Sequence, residues 1–374
     1  MKGESALRLS IQQETLAAGL GVVVRAVSSR STLPVLSDVL LRAEADQTLL
    51  LAASNLELTI LHRAACQVEA PGAIAVPARA LADLVSTLPH GPLHFALKKT
   101  ALELTCGPSR TTLNGVPASE FPPLPQVDGP GLSVPAGEFK ALIQRTVFAA
   151  SEDQSRPELT GALLVAEEHC LTLAAADGFR LSESKITLEQ LVPQPLRCLV
   201  PARALSELAR LAGEAETVEI VAPPGKGQIA FRLPGTVLVT QLIEGRFPDY
   251  HQIIPTRSPT RLTVPTAALL KACKQAEIFA RENGKAARLA LHDGQVEVHG
   301  HSDESGSTGA TIEAVLEGPP LEIAFNVAFL REALSAIRTP SVSLEASIPN
   351  APGVFKPVGE DGFIHVIMPL YQGG

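Results

Sequence analysis

The sequence predicts an α+β fold of antiparallel sheets and helices, arranged as three copies of one domain. Three observations carry this. VPARALADLVSTLP at 76–89 returns as VPARALSELARLAG at 200–213, an offset of 124, and FNVAFLREALSAIR at 325–338 lies a further 125 along. A second set repeats in step, with LSIQQETLAAGL (9–20), LSVPAGEFKALI (132–143) and LTVPTAALLKAC (262–273), while SEFPPLP (119–125) matches GRFPDYHQIIP (245–255). Between these markers, alternating apolar segments follow one another through Asp-Gly turns at Asp177-Gly178, Asp293-Gly294 and Asp361-Gly362. Hairpins of this kind give antiparallel pairing and exclude a parallel, doubly wound sheet. The period is too long for a solenoid, whose repeats run at about 20–50 residues. It suits three domains at 1–126, 127–255 and 256–374 of the 374 residues.

Each copy reads as doubled inside: a strand, a helix, strands, a second helix and more strands. The middle copy shows the order, with LSVP as a strand, a helix over 136–150, short strands around 161–200 and a helix over 201–211. The helical windows are 12–30, 77–88, 136–150, 201–211, 266–283 and 327–338. Pro77, Pro135, Pro201 and Pro265 are expected in first turns, where a missing N–H costs nothing.

Composition narrows the function. Apolar residues make up 45%, enough for a core, but with no Trp, 2 Tyr and 12 Phe that core is aliphatic. Stacking of bases on aromatic platforms is therefore excluded. Cys66, Cys106, Cys170, Cys198 and Cys273 are scattered and never form CxxC, so neither a disulfide framework nor a cysteine zinc site is expected. The apolar run from Leu16 stops at Arg25, well short of the ~20 residues of a membrane span, and Glu4 opposes a signal peptide. A soluble protein of a reducing, intracellular compartment is expected.

The net charge of −8 excludes a uniformly basic nucleic-acid binder, yet charge is unevenly placed. The six helical windows hold twelve bases: Arg25, Arg30, Arg79, Lys140, Arg145, Arg203, Arg210, Lys271, Lys274, Arg281, Arg331 and Arg338. They hold seven acids, so the windows carry +5 and the rest of the chain −13. A basic helical surface within an acidic protein suits a phosphate-facing lining. The bases keep no common helical phase between repeats, which argues against reading of base sequence.

Catalytic signatures are weak. PPGKGQ at 223–228 lacks phosphate-loop spacing and reads as a hairpin turn, Gly19 and Gly21 form a lone GxG, and GHSDE at 300–304 has Glu304 where a nucleophile elbow needs glycine. His299 and His301 share a face if 299–303 is a strand, which would suit zinc. The following ESGSTG favours a flexible loop. No polar motif repeats with the domains, as befits a scaffold.

Five segments carry a resemblance to a family: STLPVLSDVLL (31–41), AAADGFRLS (174–182), EGRFPDY (244–250), FNVAFL (325–330) and VIMPLY (366–371). In order and separation they resemble the bacterial DNA polymerase sliding clamps, the beta subunit of the replicative DNA polymerase III. The resemblance spans the chain. It implies three clamp domains per subunit and a head-to-tail homodimer closed into a ring, with helices lining the hole and sheets outside. It further implies sequence-independent passage of duplex DNA, no catalytic chemistry and no cofactor. The implied partners are the polymerase catalytic subunit, the clamp loader, and other replication and repair proteins carrying short clamp-binding peptides. The resemblance also implies no membrane role and a cytoplasmic, nucleoid-associated location. By the same resemblance a peptide groove between domains 2 and 3 takes Leu159, Ala176, Gly178, Phe179, Arg180, Leu181, Pro248, Gln252 and Ile253 from one side. Asn326, Phe329, Ala351, Gly353, Ile367, Met368, Pro369 and Leu370 come from the other. Arg30 falls at a basic pore position, and the subunit contact would use Arg110 and Leu113 against Ile278, Phe279, Asp303 and Glu304. The chain departs from the family at Gly284, where an aromatic residue can stand, at Phe179, and in the tail YQGG. Two other readings remain at this point: a three-domain adaptor that never encircles DNA, and a metal hydrolase at His299 and His301.

Overall fold

The alternating segments fold as strands and the six windows as six helices in the computed structural model, which describes residues 7–28, 33–213, 215–222, 225, 227–281 and 284–370. The first repeat gives β1 (Arg8–Gln12), α1 (Gln13–Val23), β2 (Asp38–Glu44), β3 (Thr48–Ser54), β4 (Leu58–Ala65), β5 (Gln67–Ala70) and β6 (Gly72–Pro77). It continues with α2 (Ala78–Thr87), β7 (Pro92–Lys98), β8 (Ala101–Cys106), β9 (Ser109–Asn114) and β10 (Val116–Pro117). The second gives β11 (Leu132–Pro135), α3 (Ala136–Thr146), β12 (Gly161–Glu167), β13 (Cys170–Ala176), β14 (Arg180–Thr187) and β15 (Leu196–Pro201). Then come α4 (Ala202–Leu211), β16 (Thr217–Val221), β17 (Gln228–Leu233) and β18 (Thr236–Gln241). The third gives β19 (Thr260–Pro265), α5 (Thr266–Ala280), β20 (Ala286–His292), β21 (Gln295–Ser302), β22 (Gly306–Glu313), β23 (Val315–Glu317) and β24 (Leu321–Asn326). It ends with α6 (Val327–Ala336), β25 (Ser341–Ala346), β26 (Gly353–Pro357) and β27 (Phe363–Ile367).

Three expectations change. α1 is shorter than its window: helical hydrogen bonding gives way to a 3-10 turn at Val24–Ala26, where a run of β-branched valines lowers helix propensity. The prolines sit one residue earlier than expected. Pro77 and Pro265 are N-caps, and Pro135 and Pro201 end strands, so each closes a strand and starts a helix in one step. Residues 299–302 lie in β21 and 306–308 in β22, so the expected loop is a hairpin with only a short connection. Gly300 explains why: a Cβ there would lie 2.5 Å from the Ala276 carbonyl oxygen, because α5 is pressed against this strand.

Residues 1–137 with 210–242 form one compact unit, and 138–209 with 243–374 form the other. The division cuts through the middle repeat because strand pairing joins neighbouring repeats. In the first unit a nine-stranded sheet runs β10-β6-β2-β3-β4-β18-β17-β16-β11, with β4 paired to β18. In the second, a nine-stranded sheet runs β15-β12-β13-β14-β27-β26-β25-β19-β23, with β14 paired to β27. β4 and β14 are each the third strand after the first helix of a repeat, and β18 and β27 the third after the second helix. Each nine-stranded sheet is thus two half-sheets joined in the same way.

Two half-sheets remain. The five-stranded sheet β5-β1-β7-β8-β9 ends in β9, and the four-stranded sheet β22-β21-β20-β24 ends in β22. By position, β9 is the counterpart of β18 and β27, and β22 that of β4 and β14.

The helices bury one face each. In the second unit, Leu269, Ala272, Cys273 and Ala276 of α5 and Leu330 and Leu334 of α6 close over Phe325, Phe355 and Ile367. At about 1.5–3 kcal/mol for each fully buried large apolar side chain, this face holds the helices on the sheet.

Candidate functional site at the joint of β14 and β27

The joint begins with a tight turn between β13 and β14. Gly178 has φ +92°, which suits glycine. The Asp177 carboxylate accepts the N–H of Phe179 at 2.9 Å and of Arg180 at 3.1 Å, closing the turn from the side chain. This leaves Phe179 62% exposed. Its carbonyl accepts the Met368 N–H at 2.8 Å, so the turn is sewn to the end of β27. Met368 is also exposed, as is Ile253 in the segment that ends the central repeat.

Under this rim lies an apolar floor of Leu159, Leu163, Ala176, Leu181, Phe247 and Val366, with Tyr250 packed beside it. Phe247 and Tyr250 meet edge to face, 6.0 Å between centroids. The buried Tyr250 hydroxyl donates to the Glu183 carboxylate, which also takes the Lys185 ammonium at 2.9 Å. Burial and the Glu183 carboxylate push the phenol pKa well above its ordinary value. This bond pins the FPDY segment across the sheet.

Arg180 is the centre of the polar part. Its Nε meets Asp177 at 3.0 Å, Nη1 donates to Glu332 on α6, and Nη2 donates to the Phe148 carbonyl at 2.7 Å. The guanidinium also lies 4.2 Å from the centroid of the Phe329 ring and 5.7 Å from that of Phe148. Beside it, His365 on β27 is fully buried, lies 5.3 Å from Phe148 with the rings tilted by 33°, and finds no hydrogen-bond partner among the described residues at either ring nitrogen. Burial first, and the Arg180 charge second, lower its pKa from 6.5 to about 3, so it is held neutral. A cleft of about 480 Å³ lined by Ser151, Glu152, Asp153 and Arg156 shares Phe179 and Arg180 with this rim.

The predicted groove residues separate into layers. Gly178, Phe179, Pro248, Gln252, Ile253 and Met368 are exposed; Ala351, Pro369 and Leu370 are half-buried. Gln252 donates to Asp249 at 2.8 Å, and the Leu370 N–H donates to Ala324 at 2.8 Å. Leu159, Ala176 and Leu181 form the floor. Ile367 is buried in the helix-side core instead, and Gly353 is a packing position where a Cβ would lie 2.4 Å from Phe325. Asn326 caps α6, accepting the Ala328 N–H at 3.0 Å. Sequence reasoning did not single out Phe148, Glu183, Tyr250, Glu332 or His365. Only the i, i+3 spacing of Asp177 and Arg180 was a local signal.

Gly284, at φ +63°, follows the end of α5, which gives glycine a conformational reason there. The YQGG tail and Arg30 lie outside the described residues. Of the helix bases, Arg25, Arg79, Arg203, Arg210, Lys271, Lys274, Arg281 and Arg338 are exposed, and Lys140 is half-buried. Arg145 pairs with Glu360, and Arg331 with Glu277 at 2.9 Å, so these two charges are offset within the chain. Arg338 donates to Gln144 at 3.1 Å.

Arg110 and Leu113 sit on the edge strand β9, with Arg110 exposed. Ile278 is 64% exposed and Phe279 half-buried, both on α5. Asp303 and Glu304 are exposed in the β21–β22 connection. His299 lies 3.1 Å from Glu297, and His301 3.0 Å from Asp303, as separate pairs. Among the described residues no three His, Cys, Asp or Glu side chains come together to hold a metal ion. No described helix is long and apolar enough to cross a membrane.

The chain matches the DNA polymerase III beta subunit in its N-terminal domain over 7–125, its central domain over 133–249 and its C-terminal domain over 251–371. It is 33% identical to the beta sliding clamp of Synechococcus elongatus, covering 97% of this chain and 99% of that one. Identity to the beta sliding clamp of Pseudomonas putida is 32%, covering 97% and 100%. Among solved structures, the DNA polymerase sliding clamp of Bacillus subtilis superposes with TM-score 0.94 at 26% identity, covering 99% of this chain and all of the other. The Pseudomonas aeruginosa clamp bound to griselimycin gives 0.91 at 30% identity, over 98% and 100%. With its three repeats, its antiparallel half-sheets and these matches along its whole length, the chain belongs to the bacterial DNA polymerase III beta subunit family, the sliding clamps.

Proposed function

We propose that this protein closes head to tail with a second copy into a ring around duplex DNA, and there tethers the replicative polymerase. The carrying observation is the pair of unmatched half-sheets. Each of the two internal junctions joins a third strand after a first helix to a third strand after a second helix, and among the described residues only β22 and β9 are left with free edges of these two kinds. Five strands and four make nine, the size of both internal sheets. A heterologous contact of this kind closes into a ring when its rotation completes a turn. Ile278 on α5, with Asp303 and Glu304 on one edge and Arg110 on the other, supports the same contact by apolar burial and opposite charge.

The repeats at 1–126, 127–255 and 256–374 serve as the three domains. The exposed helix bases attract phosphates without regard to sequence, which permits sliding. The rim of Phe179, Ile253 and Met368 over an apolar floor accepts the Leu and Phe of short peptides, carried by the polymerase, the clamp loader and other replication and repair proteins. The protein makes and breaks no bond, needs no cofactor, and works in the cytoplasm at the nucleoid.

The test is loading onto nicked circular DNA with a clamp loader, then cutting the circle. Retention on circles and loss from linear ends is the expected result. Equal, salt-dependent loss from both would leave a protein-binding adaptor that touches DNA only electrostatically.

A further inference from the structure

We infer that Arg180 is a positioning residue of the peptide groove, held by Glu332, and not a side chain that partner peptides touch. The inference rests on the groove reading above and deepens it. All three guanidinium nitrogens are engaged, by Asp177, Glu332 and the Phe148 carbonyl. Phe329 lies under the planar group, and the side chain is only 9% exposed. A peptide reaches this group only by breaking charge-assisted bonds that are already partly desolvated, which is costly.

What the arginine does instead is hold the turn. Its backbone N–H and its Nε both bind Asp177, the residue that shapes the turn carrying Phe179. Its far end is fixed on α6 through Glu332 and Phe329, and on the 3-10 turn Val147–Ala149 through Phe148. Phe179, an exposed aromatic on a four-residue turn, is thereby presented at a set angle to Met368. Glu332 lies on α6, where it lines the same cleft as Phe179, and its carboxylate sets how firmly the groove rim is held.

The experiment measures binding of a fluorescent hexapeptide containing Leu and Phe to wild type, Glu332→Gln, Phe179→Ala and the double variant, by anisotropy and by dissociation rate. Glu332→Gln keeps shape and a hydrogen-bonding oxygen, which spares the fold, and dimer mass and melting temperature are recorded alongside. The expected result is affinity weakened about three- to tenfold in Glu332→Gln, mostly through faster dissociation, with the double variant no weaker than Phe179→Ala alone. Arg180→Lys, which keeps charge but loses the fork, is expected to match Glu332→Gln. Wild-type affinity in Glu332→Gln, or losses that multiply in the double variant, overturns the inference while leaving the groove in place. Failure of the wild type to bind the peptide overturns the groove reading, and the inference with it.

Discussion

The joints at β4–β18 and β14–β27 share one backbone design and differ in what they show to solvent. In the first, Asn55 accepts the N–H groups of Glu57 and Leu58 at 3.1 and 2.7 Å, as Asp177 does for Phe179 and Arg180. The Gln241 N–H donates to Glu57 at 2.8 Å, as Met368 does to Phe179. The registers match, with Leu58 opposite Thr240 and Arg180 opposite Ile367. Yet Leu56, at φ +75°, stands where Gly178 stands; Glu57 takes the place of Phe179 and Gln241 that of Met368. Beneath the joints, Ile60 meets Leu238 in one and Ser182 meets His365 in the other. The same joint thus serves as plain glue in one place. In the other it exchanges buried apolar contact for a polar hub and moves apolar side chains onto the rim. The difference lies in a handful of side chains, with the backbone unchanged.

Making the second joint resemble the first is the sharpest test. His365→Leu copies Leu238 and should stabilise the chain, most of all in acid. The unfolded histidine takes up a proton below about 6.5 whereas the folded one resists until about 3, so His365 costs stability as pH falls through that window. The gain expected from His365→Leu is about 3 kcal/mol at pH 5 and about 1–2 kcal/mol at pH 7.5, where only the unpartnered ring nitrogens count. Urea melts at the two pH values read it, and equal gains at both would place the pKa elsewhere.

Phe179→Glu copies Glu57. Peptide affinity is expected to fall about ten- to hundredfold, or ~1.4–2.7 kcal/mol, with little change in melting temperature because the side chain is exposed. Unchanged affinity would remove this turn from the groove. Tyr250→Phe strips the hydroxyl from Glu183 and should cost about 1–2 kcal/mol in a urea melt, since that carboxylate is nearly buried. The smallest effect belongs to the first joint. Leu56→Asn puts a residue that tolerates positive φ at an exposed turn and should stabilise by about 0.5 kcal/mol; a loss would mean that the Leu56 side chain packs against something.

Much of this was legible in the sequence. The repeats, the helices and the Asp-Gly turns are local patterns, and each reappears within a few residues of its expected place. The whole-chain resemblance named Leu159, Ala176 and Leu181, and these pack in one buried cluster with Val366 of β27. Pairing of strands from different repeats was not legible. β4 and β14 alternate like any half-buried strand, and nothing local in them records which distant edge they meet. The hub was hidden for a related reason. Arg180 and Glu332 lie 152 positions apart, and neither residue alone signals a partner. His365, in the strand FIHVI, alternates with Phe363 and Ile367 on the face toward the helices, where a histidine is not announced by pattern. The reading of ESGSTG as a flexible loop failed over Gly306–Gly309, which pair as part of β22, and Gly300, which weakens a strand by propensity, is what lets α5 lie close.

The bond between Tyr250 and Glu183 has a spectroscopic consequence. With no tryptophan and two tyrosines in 374 residues, near-ultraviolet emission from this protein is tyrosine emission alone. A phenol donating to a carboxylate is quenched, and one released into water brightens. Tyr250 sits in the segment that covers the second joint, so loosening there should register as a rise in tyrosine emission. The chain carries its own optical gauge of the joint between β14 and β27.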